Sequence, residues 1–445
     1  MSRHLPLLSA CLSVSLLMAC QQASVPTNYP GQMAQRYDSV VTVPLQVGDT
    51  RNQLVRDLGG TVLSWDDSGC ASGVSETCVA VLGMNGRPDT ALSGQSAALG
   101  RTVYIEPNKD IFSGGGDLTA TLSGARSIWA GGDFQAWTGG ARSIWAGGSY
   151  SLIPQNTQMW SNVKLEQAQA LASNLGANIT VAVIDTGLDL KHSAFQGSLS
   201  DPSTWWDFYS GDATPQDEGT LGVGGYGHGT NVAGIILQVA PKARIMPLRV
   251  LGPDGSGDVA NVAQAITWAA AKGAKVINLS LGSDQDSKVV QDAIRKVTAQ
   301  NVLVVASAGN GNAPALTYPA ATATSPGAMN LLSVGSVNLQ DQKSSFSNYA
   351  RQLEVMAPGE NVYAPAPGEL LAAWSGTSMA APIAAGGLAL ALGQPLAVPV
   401  QDLTRKLMDT SADIYSGGQN QGFKDLLGKG RLDLALFVKA TVKAQ

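Results

Sequence analysis

Charge, histidine and cysteine are all scarce in this chain, and each shortage excludes something. Only 14% of its 445 residues are Asp, Glu, Lys or Arg, with a formal net charge of −5. With no basic run and a slight acidic excess, nothing offers the electrostatic footprint of a nucleic-acid binder, so partners are sought among polypeptides. There are four cysteines, of which Cys11 and Cys20 fall in the N-terminal apolar stretch and leave Cys70 and Cys78. No cysteine or cysteine–histidine cluster remains for zinc, which argues against a zinc-dependent hydrolase. The three histidines are His4, His192 and His228, so candidates for a general base are few. The N-terminal apolar run, Leu5 to Ala19, is too short to span a membrane comfortably.

What is present describes a globular protein of more than one domain. Hydrophobic residues make up 44% of the chain and glycine occurs 51 times, which predicts a sizeable core and many tight turns. Residues 1–19 read as an export signal, with a polar, basic Ser2-Arg3-His4 start before the apolar stretch. Leu17-Met18-Ala19-Cys20 resembles a bacterial lipobox, in which Cys20 would be lipidated and would attach the protein to a membrane. The alternative is an ordinary signal peptide cut near Ala19 or Ala23. Either way the protein is exported, as a secreted or a cell-envelope protein.

Residues 20–39, with Pro26 and Pro30, read as a tether. Residues 40–108 carry a compact α+β pattern: strands at Val41 to Val47, Thr61 to Trp65, Thr77 to Leu82 and Thr102 to Glu106, and a helix at Thr50 to Leu58. Cys70 and Cys78 flank a hairpin-like loop; an oxidising compartment would let them pair, and two free thiols are the alternative. Residues 109–155 form a glycine-rich linker in which the octapeptide Ala125 to Gly132 recurs as Ala141 to Gly148. Two copies are too few for a solenoid, yet the Ile and Trp in each want burial. Either the pieces dock on the folded protein, with a copy in the substrate cleft before processing, or the repeat is a duplicated linker.

From residue 156 to 445 strands and helices alternate as in a doubly wound parallel sheet flanked by helices. Strands are expected at Ile179 to Asp185, Ala243 to Val250, Val276 to Ser280 and Val302 to Ala306. Helices are expected at Gly229 to Leu237, Val259 to Lys272, Ser287 to Gln300 and Ser378 to Leu392. Four short motifs carry chemistry: Val183-Ile184-Asp185-Thr186-Gly187, Gly227-His228-Gly229-Thr230, Ser307-Ala308-Gly309-Asn310 and Gly376-Thr377-Ser378-Met379-Ala380. A serine hydroxyl needs a base to take its proton, and a neutral imidazole suits that task near neutral pH. A carboxylate on the far side of the imidazole fixes its tautomer. The Asn310 amide and the Ser378 backbone N–H could receive the negative charge of a tetrahedral intermediate.

In this order, Asp185, His228, Asn310 and Ser378 resemble the subtilisin-like serine peptidases, the subtilases, over about residues 156–440. The resemblance extends to Asn278-Leu279-Ser280-Leu281-Gly282 and to Asp254-Gly255-Ser256-Gly257, and on to Tyr318-Pro319-Ala320, Phe346-Ser347-Asn348 and Gly428 to Asp433. It implies a catalytic triad of Asp185, His228 and Ser378 with Asn310 in the oxyanion hole. It also implies substrate strands at Gly255, Ser256, Gly257 and at Ser280, Leu281, Gly282, with Ala308 and Gly309 beside the pocket. Val103 to Asn108 resembles the closing strand of a subtilase propeptide, which makes residues 40–108 an intramolecular inhibitor; an unrelated small module is the alternative. His192 fits a structural place in the family pattern.

The resemblance implies no required cofactor. Gly234 to Val239 runs directly into Ala240-Pro241, so a calcium loop that several subtilisins insert there is not expected; calcium held by scattered carbonyls stays open. Asn231 and Ile383 stand where many relatives carry other residues. No Asp or Glu occurs in Ser280 to Ser283 or Ser307 to Ala320, so broad cleavage after apolar or aromatic P1 residues is expected. A binding protein of the same fold that has lost catalysis is the competing reading, and the complete set of four residues argues against it.

Overall fold

The computed structural model describes residues 37–72, 78–86, 89–108, 110–113, 135–137, 153–220, 224–325 and 330–443. Cys20, the signal segment, most of the tether and both octapeptide copies lie outside the described residues.

The N-terminal module is a four-stranded antiparallel sheet. Its strands are β1 (Ser39–Pro44), β2 (Thr61–Asp66), β3 (Val79–Met84) and β4 (Tyr104–Pro107), in the order β2-β3-β1-β4. Helix α1 (Arg51–Leu58) starts where Thr50 accepts a capping bond from the Gln53 N–H, and it buries Leu54 and Leu58 against Val41, Val43 and Leu82. The first strand ends at Pro44, earlier than its sequence pattern suggests, and the third begins at Val79. Helix α2 (Asp89–Ala98) was not expected, because Gly94 and the serines around it blur its apolar period. Cys70 and Cys78 are joined by a disulfide with Cα atoms 4.7 Å apart.

Two short strands arise from the stretch read as a linker: β5 (Asp110–Ser113) and β6 (Gln135–Trp137). Helices α3 (Thr157–Asn162) and α4 (Leu165–Leu171) then lead into the α/β region.

That region is built on parallel strands β7 (Thr180–Asp185), β8 (Trp206–Asp207), β9 (Arg244–Arg249), β11 (Val276–Leu279), β13 (Leu303–Ser307), β14 (Leu331–Val337) and β15 (Val355–Pro358). They lie in the order β15-β14-β13-β11-β7-β9-β8. Successive side chains of a strand face opposite ways, and here they feed two cores. Val181 and Val183 join α5 (His228–Val239) and α8 (Thr377–Leu392) on one face, whereas Ala182 and Ile184 join α6 (Val259–Ala271) and α7 (Lys288–Thr298) on the other. From β7 the chain fills one side with the edge strand β8 and then β9 between them, and resumes at β11 on the other side. Asp185, at the carboxyl end of β7, therefore stands at the switch point where open α/β sheets form crevices.

The remaining strands line or flank that crevice: β10 (Ser256–Asp258), β12 (Leu281–Gly282), and the antiparallel hairpin of β16 (Val362–Ala366) and β17 (Leu370–Trp374). Helices α9 (Leu403–Asp409) and α10 (Leu434–Thr441) close the chain. Among the described residues no helix is long and apolar enough to cross a membrane.

Candidate active site

The crevice brings Asp185 and His228 together, and a third element, α8, carries Ser378. Asp185 ends β7 fully buried, and its Oδ1 accepts from the Thr186 N–H at 2.7 Å and pairs with His228 Nδ1 at 2.8 Å. His228 opens α5. The close approach of these elements requires glycine at 229, where a Cβ would lie 2.2 Å from the Gly187 carbonyl oxygen. Trp374 meets the imidazole edge-on, with ring centroids 5.8 Å apart, and so packs one side of it.

Behind His228 lies a carboxylate that sequence reasoning did not single out. Asp217 is buried, its Oδ1 accepting from the Gly227 N–H at 3.1 Å and its Oδ2 from the Thr230 hydroxyl at 2.7 Å. It thus caps the helix that carries His228 from outside the helix. Burial pushes its pKa up to about 7, and the nearby Asp185 carboxylate adds to the rise. An acid in a glycine-rich loop shortly before the histidine was its only sequence signal.

Ser378 is the second residue of α8, and its hydroxyl donates to the Ser280 carbonyl oxygen at 3.3 Å. The reverse contact explains a feature of the motif. Pro382 lies four residues after Ser378 and has no N–H to give the Ser378 carbonyl; the Ser280 hydroxyl donates to that oxygen instead, at 2.8 Å. Asn278 Nδ2 in turn donates to Ser280 Oγ at 2.9 Å.

Asn310 sits in the loop after β13, and its Oδ1 accepts from both the N–H and the hydroxyl of Thr377, each at 2.9 Å. With the oxygen end held, the amide nitrogen is aimed away from Thr377, near Gly376. Gly309 adopts φ +105, and a Cβ there would meet Asn348 Nδ2 at 2.4 Å.

Gly255, Ser256 and Gly257 form one wall of the cleft with Asp258, and Ser280, Leu281 and Gly282 the other; Ala308 is buried beside Gly309. Between the walls runs β5. It pairs antiparallel with β10, where Phe112 faces Ser256 and Ile111 faces Gly257, and with β12, where Ser113 faces Leu281 and Phe112 faces Gly282. A segment of the chain itself therefore occupies the groove as its middle strand.

The module leading to β5 is clamped on two helix starts. Glu106 accepts from the Ser287 hydroxyl at 2.9 Å and from the backbone N–H groups of Lys288 and Val289 at 2.8 and 3.1 Å, while Asn108 Oδ1 accepts from the Ala260 N–H at 3.2 Å. Lys296 pairs with Asp66 at 2.6 Å.

His192 stands apart from this set. It is buried, its Nδ1 accepting from the Ala194 N–H at 3.1 Å, and it caps the short turn that follows. Asn231 points its amide at the Ala372 carbonyl oxygen, 3.3 Å away, and Ile383 lies in the core. Helix α5 runs unbroken to Val239. Among the described residues no three His, Cys, Asp or Glu side chains gather into a candidate metal cage.

An aspartate–histidine pair at the carboxyl end of a doubly wound parallel sheet, with a serine at the start of the neighbouring helix α8, has the residue types of a serine-peptidase site. The family profile of the subtilases matches residues 176–430. Subtilisin Savinase of Lederbergia lenta is 39% identical over 225 residues, a match covering 48% of this chain and 76% of the relative. Thermitase of Thermoactinomyces vulgaris is 36% identical over 272 residues, covering 59% and 91%. The alkaline protease of Shouchella clausii is 39% identical over 225 residues, covering 48% and 54%. The chain belongs to the subtilase family and is a subtilisin-like serine endopeptidase, with polypeptides as its substrates.

Proposed function

We propose that Asp185, His228 and Ser378 form the catalytic triad of an endopeptidase made as an exported, self-inhibited precursor. His228 takes the proton from Ser378 Oγ as that oxygen bonds to the carbonyl carbon of the scissile peptide. Buried Asp185 holds the imidazole tautomer and stabilises the imidazolium. The oxyanion receives hydrogen bonds from the Asn310 amide and the Ser378 N–H. The C–N bond then breaks, and His228 returns the proton to the leaving amine. A water repeats the sequence on the acyl-enzyme and releases the new carboxylate. For the first step the Ser378 hydroxyl has to turn from Ser280 toward His228, a rotamer change of the fast kind.

The observation that carries the precursor reading is the seat of β5 between β10 and β12. An extended substrate would pair in the same way, with main-chain bonds giving affinity and side-chain pockets giving preference. Residues 40–113 accordingly act as the inhibitor. The antiparallel register runs from Leu281 toward Ser280, which touches Ser378, so the first cleavage is assigned to the bonds just after Ser113, within the Gly114-Gly115-Gly116 run.

Preference for apolar P1 residues follows from the absence of Asp and Glu in 280–283 and 307–320. Export follows from residues 1–19, and lipidation of Cys20 adds membrane attachment. A wholly aqueous mature protein in detergent partition rejects the lipid.

The test compares wild type with Ser378→Ala. The wild-type precursor is expected to be cut between residues 113 and 117 and to hydrolyse unfolded protein, and the variant to remain intact and silent. Indistinguishable behaviour of the two sinks the triad.

A further inference from the structure

The piece of chain between the two octapeptide copies adds a strand to the outer edge of the β16–β17 hairpin. Gln135, Ala136 and Trp137 stand opposite Ala373, Ala372 and Leu371. Past the second copy the chain comes back to the same strand, where fully buried Ile153 packs on Leu371. In sequence the second copy, residues 141–148, falls between these two attachments to β17. In sequence the first copy, residues 125–132, falls between β5 and β6.

Strand β17 also reaches the site. Its Trp374 packs edge-on against His228, and its Ala372 carbonyl oxygen accepts from Asn231, three residues after His228 on the same helix.

We propose that the linker stays with the mature enzyme as an N-terminal arm, docked by strand addition of Gln135–Trp137 on β17, and that this docking positions His228. Cleavage after Ser113 separates the inhibitory module from the arm, but the arm remains covalently joined to the catalytic domain through Ile153. Docking is thus intramolecular and needs little affinity per contact. It also covers a strand edge that would otherwise be open to pairing with other chains, substrates included. This inference rests on the proposed cleavage next to Ser113.

Successive N–H groups of a strand point to opposite sides, so of Gln135→Pro and Ala136→Pro one removes a bond to β17 and the other serves as its control. The wild-type mature enzyme is expected to begin upstream of residue 135 and to protect outward amides among Leu371–Ala373 from hydrogen exchange. The proline that removes the ladder bond should lower kcat by about tenfold with KM nearly unchanged, the signature of a misplaced catalytic group. The other proline should keep wild-type kcat.

A stable, fully active mature form that begins beyond residue 137 overturns the proposal. So does unchanged kcat and exchange in both proline variants. A wild-type precursor that is never cut fails the maturation reading instead, and exchange at Leu371–Ala373 in the intact chain then decides the docking by itself.

Discussion

Ser280 and Ser378 are joined twice: each hydroxyl donates to the other's backbone carbonyl oxygen, at 2.8 Å from Ser280 and 3.3 Å from Ser378. The shorter bond serves the carbonyl that Pro382 leaves without its helical donor. Ser280→Ala removes the hydroxyl that does this and leaves a buried acceptor unpaired, at a cost of about 1–3 kcal/mol. A lower urea midpoint for Ser280→Ala in a Ser378→Ala background is the expected result, since the inactive background prevents self-digestion. An unchanged midpoint shows that another donor takes over.

Thr377 holds the oxygen of the Asn310 amide with two donors, which determines where the nitrogen points. Thr377→Val keeps the shape and the N–H but loses the hydroxyl donor. Expected is a fall in kcat of about tenfold with KM little changed, smaller than the roughly 10²–10³-fold loss that follows removal of such an oxyanion donor in subtilisin. Equal losses for Thr377→Val and Asn310→Ala would mean that Thr377 does more than orient the amide.

How much of this was legible in the sequence depended on whether the signal was local. The strand ending at Asp185 and the helix from Val259 to Ala271 showed as expected, because near-continuous apolar runs with a defined start leave few alternatives. The four motif residues stood out through residue type and order, and two of them, Asp185 and His228, lie in direct contact. Strands β5 and β6 did not, since three or four residues carry no readable period and are strands only through partners more than a hundred residues away. Asp217 was equally hidden, because its importance comes from burial behind His228 and not from its neighbours in sequence. Pro382 was in plain view, and the carbonyl it orphans could have been anticipated.

Asp217 also makes a pH prediction. Its folded pKa of about 7 lies above the ordinary aspartate value of about 3.9, so between those pH values the folded chain keeps a proton that the unfolded chain has lost. Its contribution to stability therefore falls as pH rises from about 4 to about 7 and is level outside that window. Glu354, raised by burial to about 7, acts in the same direction. Asp217→Asn removes one of the two: in the Ser378→Ala background its Tm should decline less steeply across this range than that of the parent. Parallel Tm curves would show that Asp217 ionises in the fold as readily as in the unfolded chain.

Glu106 ties the N-terminal module, the proposed inhibitor, to the start of a helix. One carboxylate from the N-terminal module satisfies the Ser287 hydroxyl and two N–H groups at the start of α7, and it is buried in doing so. Hydrogen bonds to a charged group contribute about 1.5–3 kcal/mol each, so their loss should weaken the hold of the module by far more than tenfold. Much of that loss falls on the docked state alone, because after release water reaches the exposed helix start. Glu106→Ala should therefore shorten the lag between first cleavage and the appearance of activity against added protein, while the cleavage position stays the same. The conservative change Glu106→Gln keeps one acceptor oxygen and should give an intermediate lag. A lag unaffected by either change would shift the grip of the inhibitor to β5 and to the Lys296–Asp66 pair.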